Sequence, residues 1–382
     1  MIGVRGEPIE LVSEYKYVGA WFTTAARDIF TQHYHEKASK ACRVACASFA
    51  LDSFMGALPP KEGKMLYMAR VDPILTFGCE VVLDIEDALV QKLTDVQHLF
   101  LRRLLGLGPR SVLATLFTET GILPLRFRRA KLAIGYFLYL MRLPPSHYAY
   151  AALQESKALF FAGFPSWIGD LNWVIGHLPG QTTPVHVEIM SYEELVNLRD
   201  DLDRTCDQSL QSFVDSSPKC LLIRGRLEAA GNGQRVHMTR KLRHYLSTPL
   251  VPAHRRAFTS IMLSSHALAV ERLRYQERYR PPIPHAWRLC RFCRVDVEDE
   301  VHVLLKCDAR SDLLALRAVF WQDVARMVGV LPQTPNSLAL LVVLLTDRRL
   351  TERVAKYIYV VLEIFGSAPI FIPAPYNYLP LG

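Results

Sequence analysis

The chain has 382 residues, half of them apolar, and a formal net charge of +8. That length and apolar content suit a large core divided among two or three subdomains and exclude a disordered tail. The longest apolar run, Leu338 to Leu345, is far short of a bilayer span, and the opening Met1-Ile2-Gly3-Val4-Arg5-Gly6-Glu7 lacks the basic start and apolar stretch of a secretory signal. The expectation is an intracellular protein, nuclear or cytoplasmic, neither secreted nor held in a membrane.

In chain order, Glu7 to Val12 and Tyr15 to Phe22 read as two short strands around Ser13-Glu14, a β-hairpin that needs a sheet or helix to cover it. Beyond it the period is helical. Ile29 to Leu51 is one candidate helix, and Pro59-Pro60 ends that region. Lys61 to Val82 is a second, which Pro73 should kink or interrupt. Ile85 to Leu107 is a third, closing at Gly106 and Gly108-Pro109. A small basic cluster, Arg126, Arg128, Arg129 and Lys131, begins a further helix. Ser191 to Asp207 is an acidic helical run in which Asp200-Asp201 reads as a solvated face. Val354 to Phe365 is apolar enough for a core or for a protein contact, as is Leu338 to Leu345. The proline-rich Pro369 to Pro375 should run extended over the surface. The fold class is mainly α: an N-terminal β-hairpin, a helical bundle, a small zinc knuckle and C-terminal helices. Its regions are 1–145 (hairpin and helices), 146–220 (helical linker), 221–310 (basic, with the knuckle) and 311–382 (helices and tail).

The knuckle rests on Cys290, Cys293, His302 and Cys307: a Cys-x2-Cys pair, eight intervening residues, then His-x4-Cys. Three sulfurs and one nitrogen close a tetrahedral site around Zn2+ and leave no position for water, so the metal is structural and not catalytic. Such a set also arises by chance in a chain with eight Cys and twelve His. Val295 to Glu300 looks like the acidic first turn of a helix carrying His302. On an ideal helix the step from His302 to Cys307 leaves the two ligands about 140° apart, so Cys307 should sit where the helix frays or ends. The other five cysteines, Cys42, Cys46, Cys79, Cys206 and Cys220, are odd in number and read as buried thiols of a reducing compartment.

Charge is unevenly distributed. Leu221 to Arg294 holds fifteen cationic side chains against three carboxylates, so the remainder of the chain is net negative. Arginine forks match phosphate oxygens and stack on bases, and Tyr245, Tyr275, Tyr279 and Trp287 interleave with them. The expected partner is RNA or DNA, contacted by Arg240, Lys241, Arg243, Arg272, Arg274, Arg278, Arg280, Arg288, Arg291 and Arg294. The bland alternative is that these charges solvate a helix and pair with acids elsewhere in the fold.

Several short stretches carry a family resemblance. Tyr15-Lys16-Tyr17-Val18-Gly19 resembles the "FKYLG" strand that follows the catalytic palm in reverse transcriptases of non-LTR (LINE-type) retrotransposons. Pro73-Ile74-Leu75-Thr76-Phe77-Gly78-Cys79-Glu80 resembles their "PILLYGxE" segment, and Leu99-Phe100-Leu101-Arg102-Arg103-Leu104-Leu105-Gly106 their "FLRRLLG" helix. Glu119-Thr120-Gly121-Ile122-Leu123-Pro124-Leu125 is similar to the "ETGxLPL" turn, and Cys290 to Cys307 to the CCHC knuckle near the end of these proteins. The resemblance covers most of the first 145 residues and the knuckle, and little of 146–285 or of the last 70. It implies thumb-like helices and a knuckle that grip template and target nucleic acid.

The family's polymerase uses palm aspartates on two metal ions. No Tyr/Phe-x-Asp-Asp motif, apurinic-type endonuclease or Pro-Asp-x-Asp nuclease pattern is present, and the chain begins after the point where the palm would lie. The expectation is therefore a catalytically incomplete fragment of such a reverse transcriptase, not an enzyme, binding RNA or DNA through its arginine-rich, zinc-stabilised region. The alternatives are a zinc-containing helical protein-interaction module or an inert transposon remnant. An unrecognised enzyme is disfavoured, because His244, His254, His266 and His285 lack any spaced acid or nucleophile.

Overall fold

The computed structural model describes residues 3–4, 7–8, 12–24, 28–50, 52, 56–229, 235–277, 280–329 and 333–376. Among them the protein is mainly helical, with short antiparallel strand pairs and two compact units.

The hairpin is present but turns at a different place. Glu14–Tyr17 pairs with Ala20–Thr23, closing at Tyr17↔Ala20. The turn is Val18-Gly19, with φ of 47° and 86°. A two-residue loop with both φ positive matches the right-handed twist of the strands, which is why the chain folds back here and not at Ser13-Glu14. The run Tyr15 to Phe22 is thus two strands and not one. Glu7–Pro8 pairs instead with Gly3–Val4; of the rest of the expected first strand, residues 9–11 lie outside the described residues and Val12 is not in a strand. Ala20–Thr23 packs on the helix Thr31–Ser48, which supplies the cover a lone hairpin lacks.

One unit comprises Met1–Phe54, Glu62–Phe100 and Ile122–Gln211. Its core joins Phe127, Ile134 and Phe137 of the helix Leu125–Met141 to Leu171 and Ile175 of Trp167–Gly176 and to Leu195 and Leu202 of Tyr192–Ser216. Pro73 does not simply kink its helix. The helical turn Pro60–Leu66 widens into a π turn over Tyr67–Val71 before Asp72–Leu75 resumes α geometry. A π turn relaxes the i−4 pairing that a proline cannot donate to.

The small basic cluster is paired with carboxylates, and one of its members is buried in the core. Arg129 is buried and donates to both oxygens of Asp84 at 2.8 and 2.9 Å, to Leu75 O at 2.7 Å and to Val82 O at 3.2 Å, while the Tyr34 hydroxyl donates to Asp84 at 2.8 Å. Arg126, Arg128 and Lys131 pair with Asp87, Asp72 and Asp203. On the acidic helix, Asp200 and Asp201 face Arg199 and Arg204 of the same helix, in keeping with a solvated surface.

The other unit comprises Met55–Lys61, Leu101–Gly121 and Ser212–Gly382. The helix Thr351–Gly366 is its centre: Pro252–Met262, Ser311–Val328 and Ser337–Thr346 all pack against it. Val354, Ile358, Val361 and Phe365 are buried, and Tyr357 stacks on Phe320 with centroids 4.1 Å apart. The apolar C-terminal stretches are therefore largely core. The proline-rich tail also contributes packing, since Ile370, Ile372 and Tyr376 rest on Ala269, Leu273 and Ile283.

Two of the family-like motifs have local structural explanations in this unit. Gly106, at φ +67°, ends its helix in a Schellman arrangement: Leu107 N–H bonds Arg102 O at 2.9 Å and Gly106 N–H bonds Arg103 O at 3.1 Å. Glu119 of the helix Leu113–Thr120 is fully buried beneath Arg226, Arg243 and Tyr245. Gly121, at φ +65°, lets residues 118–120 run beside 241–243, bridged at Thr120↔Leu242. A Cβ at Gly121 would lie 2.9 Å from Leu242 N and 3.0 Å from the Lys241 carbonyl carbon. Gly121→Ala therefore combines left-handed strain with a backbone clash, and we expect a loss of about 2 kcal/mol or more, read as a lower denaturant midpoint with unchanged slope. An unchanged midpoint means that this close approach is absent in solution.

Candidate metal centre

The centre is built on a short hairpin followed by a π turn. Leu289 bridges Val297, Cys290 N–H bonds Asp296 O at 2.8 Å, and Glu298 N–H bonds Arg288 O at 2.9 Å. Between these strands the chain turns through Arg294, at φ +58°, whose N–H returns to Cys290 O at 2.9 Å. The acidic stretch Val295 to Glu300 is accordingly not the first turn of a helix. Its Asp296–Glu298 part is the return strand, and helical geometry starts only at Glu300.

Tyr67–Val71 has a counterpart in the π turn His302–Lys306, and this second turn resolves the 140° mismatch of an ideal helix. A π turn closes i→i+5 hydrogen bonds, so residues five apart stand above one another. Cys307 N–H bonds His302 O at 2.8 Å, and Cys307 itself, at φ −53° and ψ 122°, ends the helical geometry as the spacing requires. The wide turn is held from outside. Leu304 O accepts from the Tyr357 hydroxyl at 2.5 Å and from Arg317 Nε at 3.2 Å, and Cys307 O accepts from Arg317 Nη2 at 2.9 Å.

The four ligand atoms of Cys290, Cys293, His302 and Cys307 all lie within 4.8 Å of one another. Cys290 Sγ and Cys307 Sγ are 3.8 Å apart, and Cys293 Sγ is 3.4 Å from His302 Nε2. Tetrahedral zinc with bonds of about 2.3 Å to sulfur and about 2.0 Å to nitrogen has edges of about 3.8 Å and about 3.5 Å. Both of these separations match such edges, and the group could hold a metal ion. His302 Nδ1 faces Asp296 at 3.4 Å, the side from which a carboxylate orients a metal-bound imidazole. Asp299 accepts the His302 backbone N–H at 2.7 Å, capping the π turn.

Proton affinities of Cys290, His302 and Cys307 are shifted by their mutual contacts. The Cys307 sulfur and burial push the Cys290 thiol up to about 12, and the same contact lowers Cys307. Burial alone would lower His302, but hydrogen bonds and charge from Cys290 and Cys293 outweigh it and raise it. Crowded sulfur of this kind is stabilised by a cation that displaces its protons.

A second ion pair fixes the hairpin to its surroundings. Glu298 is fully buried and accepts from Ala269 N–H and Arg291 N–H, both at 2.8 Å, and from Arg291 Nη2 at 2.6 Å. Arg291 also donates to Phe365 O, Ala368 O and Ala267 O at 2.5, 2.7 and 3.1 Å.

The expected phosphate contacts divide accordingly. Arg291 is buried in this brace. Arg288 is buried and donates to Ile283 O and Val270 O, both at 2.9 Å. Arg243 is buried against Glu119, with Nη2 donating to Met238 O and Thr239 O, and Arg280 is buried beside Glu277. These four arginines are buried where carboxylates or backbone carbonyls take up their donors. Arg240 and Lys241 are half-buried, Arg274 is half-buried beside Glu271, and Arg272 and Arg294 are exposed, with Arg294 5.0 Å above the Phe371 ring. Arg278 lies outside the described residues. Arg110 and Lys306, both exposed, were not among the expected contacts; Arg110 stands in no recognisable motif, and Lys306 fills an unspecified position of His-x4-Cys, so the sequence gave no reason to single them out.

Among the described residues no helix is long and apolar enough to cross a membrane. Comparison with protein-family models, curated proteins and solved structures finds no match. Fold and site together define a mainly helical protein with a Cys3His group able to hold a metal ion.

Proposed function

We propose that the chain is a zinc-stabilised nucleic-acid-binding fragment of a non-LTR-type reverse transcriptase, lacking polymerase and nuclease carboxylates of its own and so not an enzyme. The observation that carries this reading is the convergence of the ligand atoms of Cys290, Cys293, His302 and Cys307 within 4.8 Å of one another, in the unit that keeps Arg272 and Arg294 at its surface. The family-like motifs quoted above supply the class. Arg110 extends the exposed cations, lying 4.4 Å over Tyr275 in a depression that Arg272 also lines.

Zinc would serve the fold and the arginines would serve the phosphates. With three or four phosphate contacts, affinity for single-stranded RNA should fall roughly 20- to 50-fold between 50 and 200 mM salt. Fluorescence anisotropy of labelled single-stranded RNA and duplex DNA against the zinc-loaded chain tests this. Arg272→Gln and Arg294→Gln should reduce the salt slope with little change in melting temperature. Arg288→Gln and Arg291→Gln should instead lower the melting temperature. Salt-independent affinity, or no binding with zinc present, rules the reading out.

A further inference from the structure

Beside the metal centre the same unit contains a cavity of about 740 Å³ that the nucleic-acid reading does not use. Its volume is in the range that holds a small organic ligand. One wall is apolar, made by Leu221, Leu222 and Leu338. The others carry charge, and what matters is which charges already have partners.

The three carboxylates on the cavity are engaged. Glu271 accepts from Lys219 and from the Tyr275 hydroxyl. Glu300 accepts from His266 at 2.8 Å and from the Ser264 hydroxyl at 3.0 Å. Asp299 caps the π turn through the His302 N–H. Two cations on the cavity keep donors that the fold does not use. Arg274 meets Glu271 only through Nε, at 3.1 Å and without hydrogen-bond alignment, so its four terminal N–H groups find no acceptor among the described residues. Lys306 is exposed and has no ion-pair partner among them. The first turn of the helix Ser337–Thr346 forms a further part of the lining, and Asn336 caps only its Ala339 N–H, at 2.9 Å. Early amides of a helix favour anions.

We propose that this cavity binds an organic phosphate, a phosphomonoester held by Arg274 and Lys306 with its apolar body against Leu221, Leu222 and Leu338. A dianion suits Lys306, the terminal N–H groups of Arg274, whose only carboxylate Glu271 is shared with Lys219, and a helix start better than a single carboxylate does, because an arginine fork and an ammonium engage separate oxygens of one phosphate. The ligand is a free phosphomonoester or the 5′-phosphorylated end of a bound strand, which present the same group.

Isothermal titration calorimetry of the full zinc-loaded chain tests the proposal with uridine 5′-monophosphate, uridine and inorganic phosphate as probes. The monophosphate should saturate a single site, and uridine should bind at least tenfold more weakly. Arg274→Gln and Lys306→Gln should each weaken the monophosphate at least fivefold while zinc content stays constant; Lys306→Gln removes no internal contact and so remains informative if Arg274→Gln misfolds. Displacement of the monophosphate by 5′-phosphorylated single-stranded RNA identifies a strand end as the ligand, and simultaneous binding identifies a free ester; both support the site. No saturable binding at millimolar monophosphate, or equal affinity in wild type and Lys306→Gln, overturns it. Anisotropy with labelled RNA, run on the same variants, separates failure here from failure of the strand-binding reading.

Discussion

Zinc analysis of the purified chain should give one ion per molecule, with X-ray absorption showing three sulfur neighbours near 2.3 Å and one nitrogen near 2.0 Å. Cys290→Ser and Cys307→Ser should each abolish stoichiometric zinc and lower the melting temperature more than any single surface substitution. The reason lies in what the ligands hold together. Cys290 sits in the hairpin, His302 and Cys307 at the two ends of a π turn, and that turn is clamped by Arg317 and Tyr357 from two separate helices. Binding energy at structural zinc sites is folding energy, on the order of 10 kcal/mol in small zinc domains. Here Arg291, Glu298, Arg317 and Tyr357 already brace the region, so chelation should loosen the hairpin and the π turn and leave most helical circular dichroism in place. A chain that retains no zinc under reducing conditions, or that shows fewer than three sulfur ligands, rejects the centre. Unchanged melting in Cys290→Ser rejects its structural role.

The ligand set was legible in sequence because Cys-x2-Cys and His-x4-Cys are local patterns, and their convergence needs only one hairpin and one turn. The π turn was not. Periodicity reasoning assumes an ideal helix, on which His302 and Cys307 diverge, and nothing in His302-Val303-Leu304-Leu305-Lys306 signals a wider turn. The clamping partners lie outside the motif, Arg317 10 residues beyond Cys307 and Tyr357 53 beyond Leu304. The hairpin was visible as alternation, but its turn was hidden because Val18 is not a residue expected at positive φ. The buried arginines escaped for a related reason. Arg226 meets Glu119 across 107 positions, so the acid that neutralises it lies outside any local charge window. A segment that looks like an unbalanced cationic patch along the chain is, for Arg226, Arg243, Arg288 and Arg291, largely internal wiring once folded. Glu298 was visible only as one member of an acidic run, although it is the carboxylate that fixes Arg291.

Glu119→Gln should be among the most destabilising single substitutions in the chain, by about 3–5 kcal/mol, because it strands Arg226 and Arg243 in the interior without a counter-charge. Arg226 donates to both Glu119 oxygens at 2.5 and 3.1 Å, Tyr245 donates at 2.7 Å, and Arg243 Nε stands 3.6 Å away. Burial would raise the Glu119 carboxyl, but the two guanidinium groups and these hydrogen bonds outweigh it and hold it down at about 2. A carboxyl depressed on folding contributes stability that is fully present above its unfolded value, about 4.5, and is lost as pH falls toward 2. The contribution is on the order of 3 kcal/mol. Urea unfolding at pH 7, 4 and 3 should therefore show the wild type losing stability steeply across the acid range, and Glu119→Gln, already lower at pH 7, losing less. Parallel acid profiles for the two proteins place the acid-sensitive charge elsewhere. Replacing the set by apolar groups, Glu119→Leu with Arg226→Met and Arg243→Met, should recover part of the loss, since a buried ion network stabilises a fold less than its removal by halves destabilises it. Recovery in this triple variant, with the melting temperature rising above that of Glu119→Gln alone, shows that the cost lies in unmatched charge and not in lost packing at the turn between Thr118 and Gly121.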